Sequence, residues 1–175
     1  SIGDQSVMVA QKAMGLEGID VEKVWNVCRM AREAGIHLEL TTLVIPGVNG
    51  DDQSLHDLAT RIVSELGADV PWHVNAYFPA YRFHAPPTPV ATLEQAGAIG
   101  RQAGLRYTYI GNVPGHSSGN TRCPECDALL IERHGVIVVK NRLRDGRCPK
   151  CDRAIPGVWG SARGEGRKSL QTERG

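Results

Sequence analysis

Aromatic residues make up only 5% of this 175-residue chain, and phenylalanine occurs twice. None lies between residues 116 and 158, which removes from that stretch the stacking platforms that single-stranded nucleic acids use. Long apolar runs are missing too, so no segment is expected to span a bilayer and no membrane partner is expected. The opening stretch, SIGDQSVMVAQKAMGLEG, has no basic segment followed by an apolar one, and no secretory signal is expected. Cysteine is scarce. Cys28 stands alone, and the other four fall into two close pairs. Without an export signal, a disulfide framework is not expected and a reducing cytoplasm is.

Net charge is nearly absent at +1, but its distribution is uneven. Residues 120–175 carry 12 Lys/Arg against 7 Asp/Glu, and residues 1–119 carry 8 against 12. A basic back part suits an anionic partner, or cations that offset metal-bound thiolates. The last residues, GSARGEGRKSLQTERG, are rich in glycine and charge, and a disordered tail is expected over 160–175. The expected division is a folded segment over 1–119, a cysteine module over 120–159, and that tail.

What is present from Asp20 to Asn112 is an alternation of helix and strand, repeated three times. The first helix opens at Asp20 and ends at Gly35, with Val21, Val24, Trp25, Cys28 and Ala31 on one face. Cys28 reads there as a small core residue. The second runs from about Asp51 to Gly67. The third is expected to start at Thr92, with Gln95 completing a capping box, and to stop at Gly104. The strands that follow are IHLELTTLVI, VPWHVNAYF and LRYTYIGN. Such alternation implies parallel strands joined by right-handed crossovers.

Side-chain alternation divides the strands into two faces. Leu38, Leu40, Thr42 and Val44 point one way, and His37, Glu39, Thr41 and Leu43 the other. Trp72, Val74 and Ala76 likewise oppose His73, Asn75 and Tyr77. A sheet between two helix layers would be apolar on both faces. One polar face fits an α/β barrel segment with helices outside and a solvated interior. Thr41, Leu43, Asn75, Tyr77, Thr108 and Asn112 are then expected on the concave face. Loops 46–52, 79–90 and 112–119 are expected above it, where barrel chemistry gathers. His84 and His116 fall in those loops.

The stretch NTRCPECDALLIERHGVIVVKNRLRDGRCPKC carries two Cys-Pro-x-Cys turns joined by a hairpin pattern. Leu129–Ile131 and Val136–Val139 read as its strands, with turns at His134-Gly135 and Asp145-Gly146. Two such turns bring Cys123, Cys126, Cys148 and Cys151 into a tetrahedron that suits a closed structural zinc. An iron–sulfur cluster can use the same four ligands. A module this small, with few large apolar side chains, needs such a staple.

In combination, TTLVIPGVN, DVPWHVNAYFPAY, PPTPVATLEQAGAIGRQAGLRYTYIGNVPGH and the two-turn ending through IPGVW resemble the C-terminal half of the AmmeMemoRadiSam group. These are radical S-adenosylmethionine (SAM) enzymes related to the pyruvate formate-lyase activating enzymes. The resemblance covers roughly residues 20–159. It implies the back half of a partial (β/α)6 barrel that works with SAM and a [4Fe–4S] cluster, cleaving SAM to a 5′-deoxyadenosyl radical that abstracts hydrogen from a protein or small-molecule substrate. It also implies that Thr41 and Leu43, and Asn75 and Tyr77, lie beside SAM.

Two departures accompany it. The group's Cys-x3-Cys-x2-Cys motif is absent, which implies a missing N-terminal barrel half or, alternatively, a degenerate homologue. Many members carry Arg-Phe-His-Pro where this sequence has Ala76-Tyr77-Phe78-Pro79. The rival reading is a zinc ribbon binding nucleic acid on an α/β scaffold. It is motivated by Arg122, Arg133, Lys140, Arg142, Arg144, Arg147, Lys150 and Arg153.

Overall fold

In the computed structural model, which describes residues 20–80 and 83–159, the Asp20 carboxylate accepts a hydrogen bond from Glu22 N and starts helix α1, Val21–Glu33. Strand β1 follows at Leu40–Val44. Asp51 caps helix α2, Asp52–Leu66, by accepting from Ser54 N at 2.9 Å, and the chain leaves it at Gly67 with φ of 99°. Strand β2 is Trp72–Ala76, helix α3 Val90–Gln102 and strand β3 Thr108–Gly111. The three strands form one sheet in the order β1-β2-β3, and both pairings are parallel.

The register pairs Thr42 with Val74 and Val74 with Ile110, so one face of the sheet carries Val44, Trp72, Val74 and Ile110. Helices α2 and α3 cover that face. Leu55, Ala59, Ile62, Leu93, Ala96 and Ile99 bury their side chains against it. Leu38 and Leu40 are only partly buried at the margin of this core.

Three expectations need correction here. Helix α3 begins at Val90 rather than Thr92, because Pro89, with φ fixed at −62°, can precede a helix without a side-chain cap. Gln95 turns instead to Asp52, donating to its carboxylate at 3.3 Å. Val24 is 51% exposed, because α1 reaches the core through Trp25, with Val21 and Cys28 only partly buried beside it. Ion pairs of Arg29 with Glu65 and of Glu22 with Arg61 hold α1 to α2, Arg61 also pairs with Glu65 within α2, and Arg61 lies over the Trp25 ring. Thr108 pairs with Trp72 and so belongs to the helix-covered face, not the concave one. The strand starts one residue out of phase with the expected alternation, and Tyr109 and Gly111 take the concave positions.

Beyond β3 a short 3-10 turn, Ser117–Gly119, leads into a second sheet, antiparallel, of β4 Thr121–Arg122, β5 Leu129–His134 and β6 Ile137–Asn141. Asp145 and Gly146 both have positive φ, 49° and 73°, and Arg144 and Arg147 bond to each other across them. This is a tight two-residue turn, at the place where a turn was expected. The expected disordered tail, 160–175, lies outside the described residues. No helix among the described residues is long and apolar enough to cross a membrane.

Candidate functional site

Each cysteine pair is set by the same local sequence, Arg-Cys-Pro-x-Cys-Asp, at 122–127 and 147–152. In the first copy Cys123 N donates to Ala128 O and Asp127 N to Cys123 O, both at 2.9 Å. In the second, Cys148 N donates to Arg153 O and Asp152 N to Cys148 O, again at 2.9 Å. Asp127 and Asp152 both take left-handed backbone, φ 55° and 61°, which aspartate tolerates better than most residues. Each aspartate also pairs with the arginine that opens its own copy, Arg122 with Asp127 and Arg147 with Asp152. The repeat is therefore a local knuckle, closed by the backbone of its six residues and of the one that follows.

The two knuckles bring Cys123, Cys126, Cys148 and Cys151 together with all four sulfurs within 4.8 Å of one another. Cys123 and Cys151 sulfurs are 3.5 Å apart, and those of Cys126 and Cys148 3.6 Å. These four residues could hold a metal ion. A metal–sulfur bond of about 2.3 Å places tetrahedral sulfurs about 3.8 Å apart, so the spacing fits one ion at the centre. In a four-iron cluster each thiolate sits on its own iron, and the sulfurs must spread further. Burial pushes the Cys148 thiol up, but the N–H groups of Cys151 and Lys150 and the neighbouring thiols bring it down to about 7. The Arg153 N–H favours a Cys151 thiolate, yet burial and the other three sulfurs push that thiol up to about 12. Four sulfurs this close cannot all carry charge without a cation among them.

The repeat also accounts for much of the basic character of this region. Arg122 and Arg147 are paired within the knuckles, Arg153 with Glu125 and Arg142 with Glu132. Arg133 donates to Gly119 O and Thr121 Oγ1 and lies over the Tyr109 ring. Of the eight cations named above, Lys140, Arg144 and Lys150 have no such side-chain partner among the described residues.

On the parallel sheet, Thr41, Leu43 and Asn75 share the face that no helix among the described residues covers, since Thr41 pairs with His73 and Leu43 with Asn75. Thr41 is exposed and Asn75 half-buried. The Asn75 amide packs directly on Gly111, its register partner, where a Cβ would collide with Asn75 Oδ1. Tyr77, just past β2, is buried. Its hydroxyl donates to Phe83 O at 2.8 Å and its N–H to Thr88 Oγ1, which itself donates to Val44 O. Tyr77 and Thr88 thus tie loop 79–90 to the ends of β1 and β2. Asn112 is exposed and donates to Ala76 O.

His84 is exposed in that loop, and His134 ends β5 at the hairpin. His116 Nε2 donates to Glu94 Oε1 at 3.3 Å, and its Nδ1 accepts from Ser118 N. Cys28 is far in sequence from the knuckles and outside the four-sulfur group.

Sequence reading did not single out a polar cluster at the lower end of the open face. The Glu39 carboxylate meets His37 Nε2 and His73 Nε2, each at 2.9 Å, and His73 stacks on Tyr109. Tyr109 in turn shares a hydrogen bond with Thr121, two residues before Cys123. Alternation had put His37, Glu39 and His73 on this face. What it lacked was the register, which makes them neighbours.

No family model matches the chain. No solved structure matches it. An uncharacterized protein of Methanocaldococcus jannaschii is 38% identical to it over 138 residues, 77% of this chain. The chain spans 41% of that relative's length.

Proposed function

We propose that this chain is the C-terminal part of a radical SAM enzyme of the activating-enzyme type, with a zinc ion stapling its four-cysteine ribbon. The observation that carries the reading is the one-sided sheet. Among the described residues, the three parallel strands have every helix that covers them on one face, and Thr41, Leu43 and Asn75 lie on the other. We read that face as the wall of a barrel interior and the sheet as the back half of a partial (β/α)6 barrel. The M. jannaschii relative continues well beyond the matched region, which leaves room for a front half and its cluster ligands.

In this reading SAM and a [4Fe–4S] cluster held outside this chain supply one-electron cleavage and hydrogen-atom abstraction. The chain's own residues bind and orient. Asn75 offers amide donor and acceptor groups on the open face, its own amide filling the space that a Cβ at Gly111 would need. Tyr77 and Thr88 hold loop 79–90 across the strand ends and so limit water entry. The cysteine site has four thiolates for one ion and no open position, which suits folding rather than catalysis. The nucleic-acid reading is weaker, because five of its eight motivating cations are engaged within the ribbon and none stacks on an exposed ring there.

The test is anaerobic reconstitution of the whole protein, from its own start codon, with iron and sulfide. It should release 5′-deoxyadenosine from SAM under a strong reductant, and this chain alone should not. A cluster-loaded whole protein that leaves SAM intact would remove the reading.

A further inference from the structure

We infer that the free edge of β3 is a docking groove for an extended, acidic peptide segment. The inference is independent of the radical reading, since it uses neither the concave face nor the cysteine ion. The register of β2 on β3 turns the peptide groups of Tyr107, Tyr109 and Gly111 toward β2, and Trp72 N donates to Tyr107 O. The N–H and C=O groups of Thr108 and Ile110 therefore point outward, and they have no backbone partner among the described residues. Beside them lies a cavity of about 750 Å³, between the end of α3 and the first knuckle, lined by Thr108 and Tyr109. A second cavity of about 280 Å³ continues it past Ile110. Arg101, Ser117 and Ser118 line both, so the two form one trough along the strand edge.

Two features of the lining point to a ligand. Tyr107 is 5% exposed, lines the larger cavity, and its hydroxyl has no hydrogen-bond partner. The Thr108 hydroxyl is buried and unpartnered as well. The charges of the trough then decide the ligand's sign. Arg106 is paired with Asp69, Arg122 with Asp127, Glu125 with Arg153, and Glu94 with His116. Arg101 alone among these side chains has no carboxylate partner among the described residues. A chain adding to β3 gains main-chain hydrogen bonds from Thr108 and Ile110, and a carboxylate on it meets Arg101.

The experiment uses the metal-loaded chain and blocked hexapeptides of alternating valine and threonine, with one aspartate moved through each position. Backbone amide spectra should show the Thr108, Ile110 and Ser118 signals moving for at least one member. Its asparagine counterpart should bind about tenfold more weakly, and Arg101→Gln should erase that difference. Methylating the peptide nitrogens on one edge should abolish binding, while methylating those on the other should not. Unmoved Thr108 and Ile110 signals across the set would overturn the proposal. So would equal tolerance of methylation on both edges. Inorganic phosphate or acetate giving the same shifts as the peptide would make the trough a small-anion pocket instead, and overturn it too.

Discussion

Fifteen buried residues from three helices, three strands and the links beside them hold the parallel sheet, whereas the cluster under the antiparallel ribbon has six, of which Cys123 and Cys148 are metal-ligand candidates. A further one, Tyr107, comes from the residue just before β3. The ribbon even leaves Val136, Ile137, Val138 and Val139 exposed along its outer strand. One sheet is stabilised by burying apolar surface, and the other has too little of it to bury. The contrast teaches that the ribbon needs another source of stability, which an ion held by its four cysteines would supply.

The comparison breaks most visibly if the ion proposed for the four cysteines is removed. Structural zinc in small modules contributes on the order of 10 kcal/mol or more to folding. Chelation, or Cys148→Ser, should therefore strip hydrogen-exchange protection from residues 120–159 while β1, β2 and α2 keep theirs. Protection surviving in the ribbon would mean that it stands without metal. The converse substitution is Trp72→Ala. Trp72 is fully buried and its indole N–H donates to Thr42 Oγ1 at 2.9 Å, so the loss should cost about 3–5 kcal/mol. The parallel sheet should melt early, with the thiolate-to-cobalt absorption of a cobalt-loaded sample unchanged in intensity. Joint loss of both signals would show the two sheets to be one cooperative unit.

A finer probe is Gly100→Ala, whose new Cβ would lie 2.9 Å from the Trp72 ring. Overpacking of this kind costs about 1–3 kcal/mol, read as a lower urea midpoint. No change in midpoint would mean that the ring has room to shift.

The smallest effect concerns pH. Burial opposes ionisation of Glu39, but hydrogen bonds and charge from His37 and His73 outweigh it and hold the carboxyl below its usual range. A depressed carboxyl stabilises the fold above its unfolded pKa, and that contribution disappears as pH falls through the folded value. Glu39→Gln should thus cost less than about 1 kcal/mol at neutrality, the group being half exposed, and should flatten the acid side of the stability curve. Acid limbs that superimpose would take Glu39 out of the account.

Much of this contrast was legible in the residues. Strand alternation placed Thr41, Leu43 and Asn75 on one face, because a two-residue period needs only local sequence. The knuckles were legible because a Cys-Pro-x-Cys turn is also local. Local sequence fails where neighbours decide. Thr108 was assigned to the wrong face because its strand starts a residue out of phase with its neighbours, and only the pairing with Trp72 shows this. Val24 looked like a core residue by helical period, but α1 meets α2 along a narrow line at Trp25. The arginines at 122 and 147 read as a basic surface until their aspartate partners, five residues on, came into view.

Metal content of the purified chain tests the central claim most directly. The sulfur spacing predicts about one zinc per chain, bound by Cys123, Cys126, Cys148 and Cys151, lost stoichiometrically in Cys148→Ser. Close to four irons with matching acid-labile sulfide, in a brown sample, would contradict it.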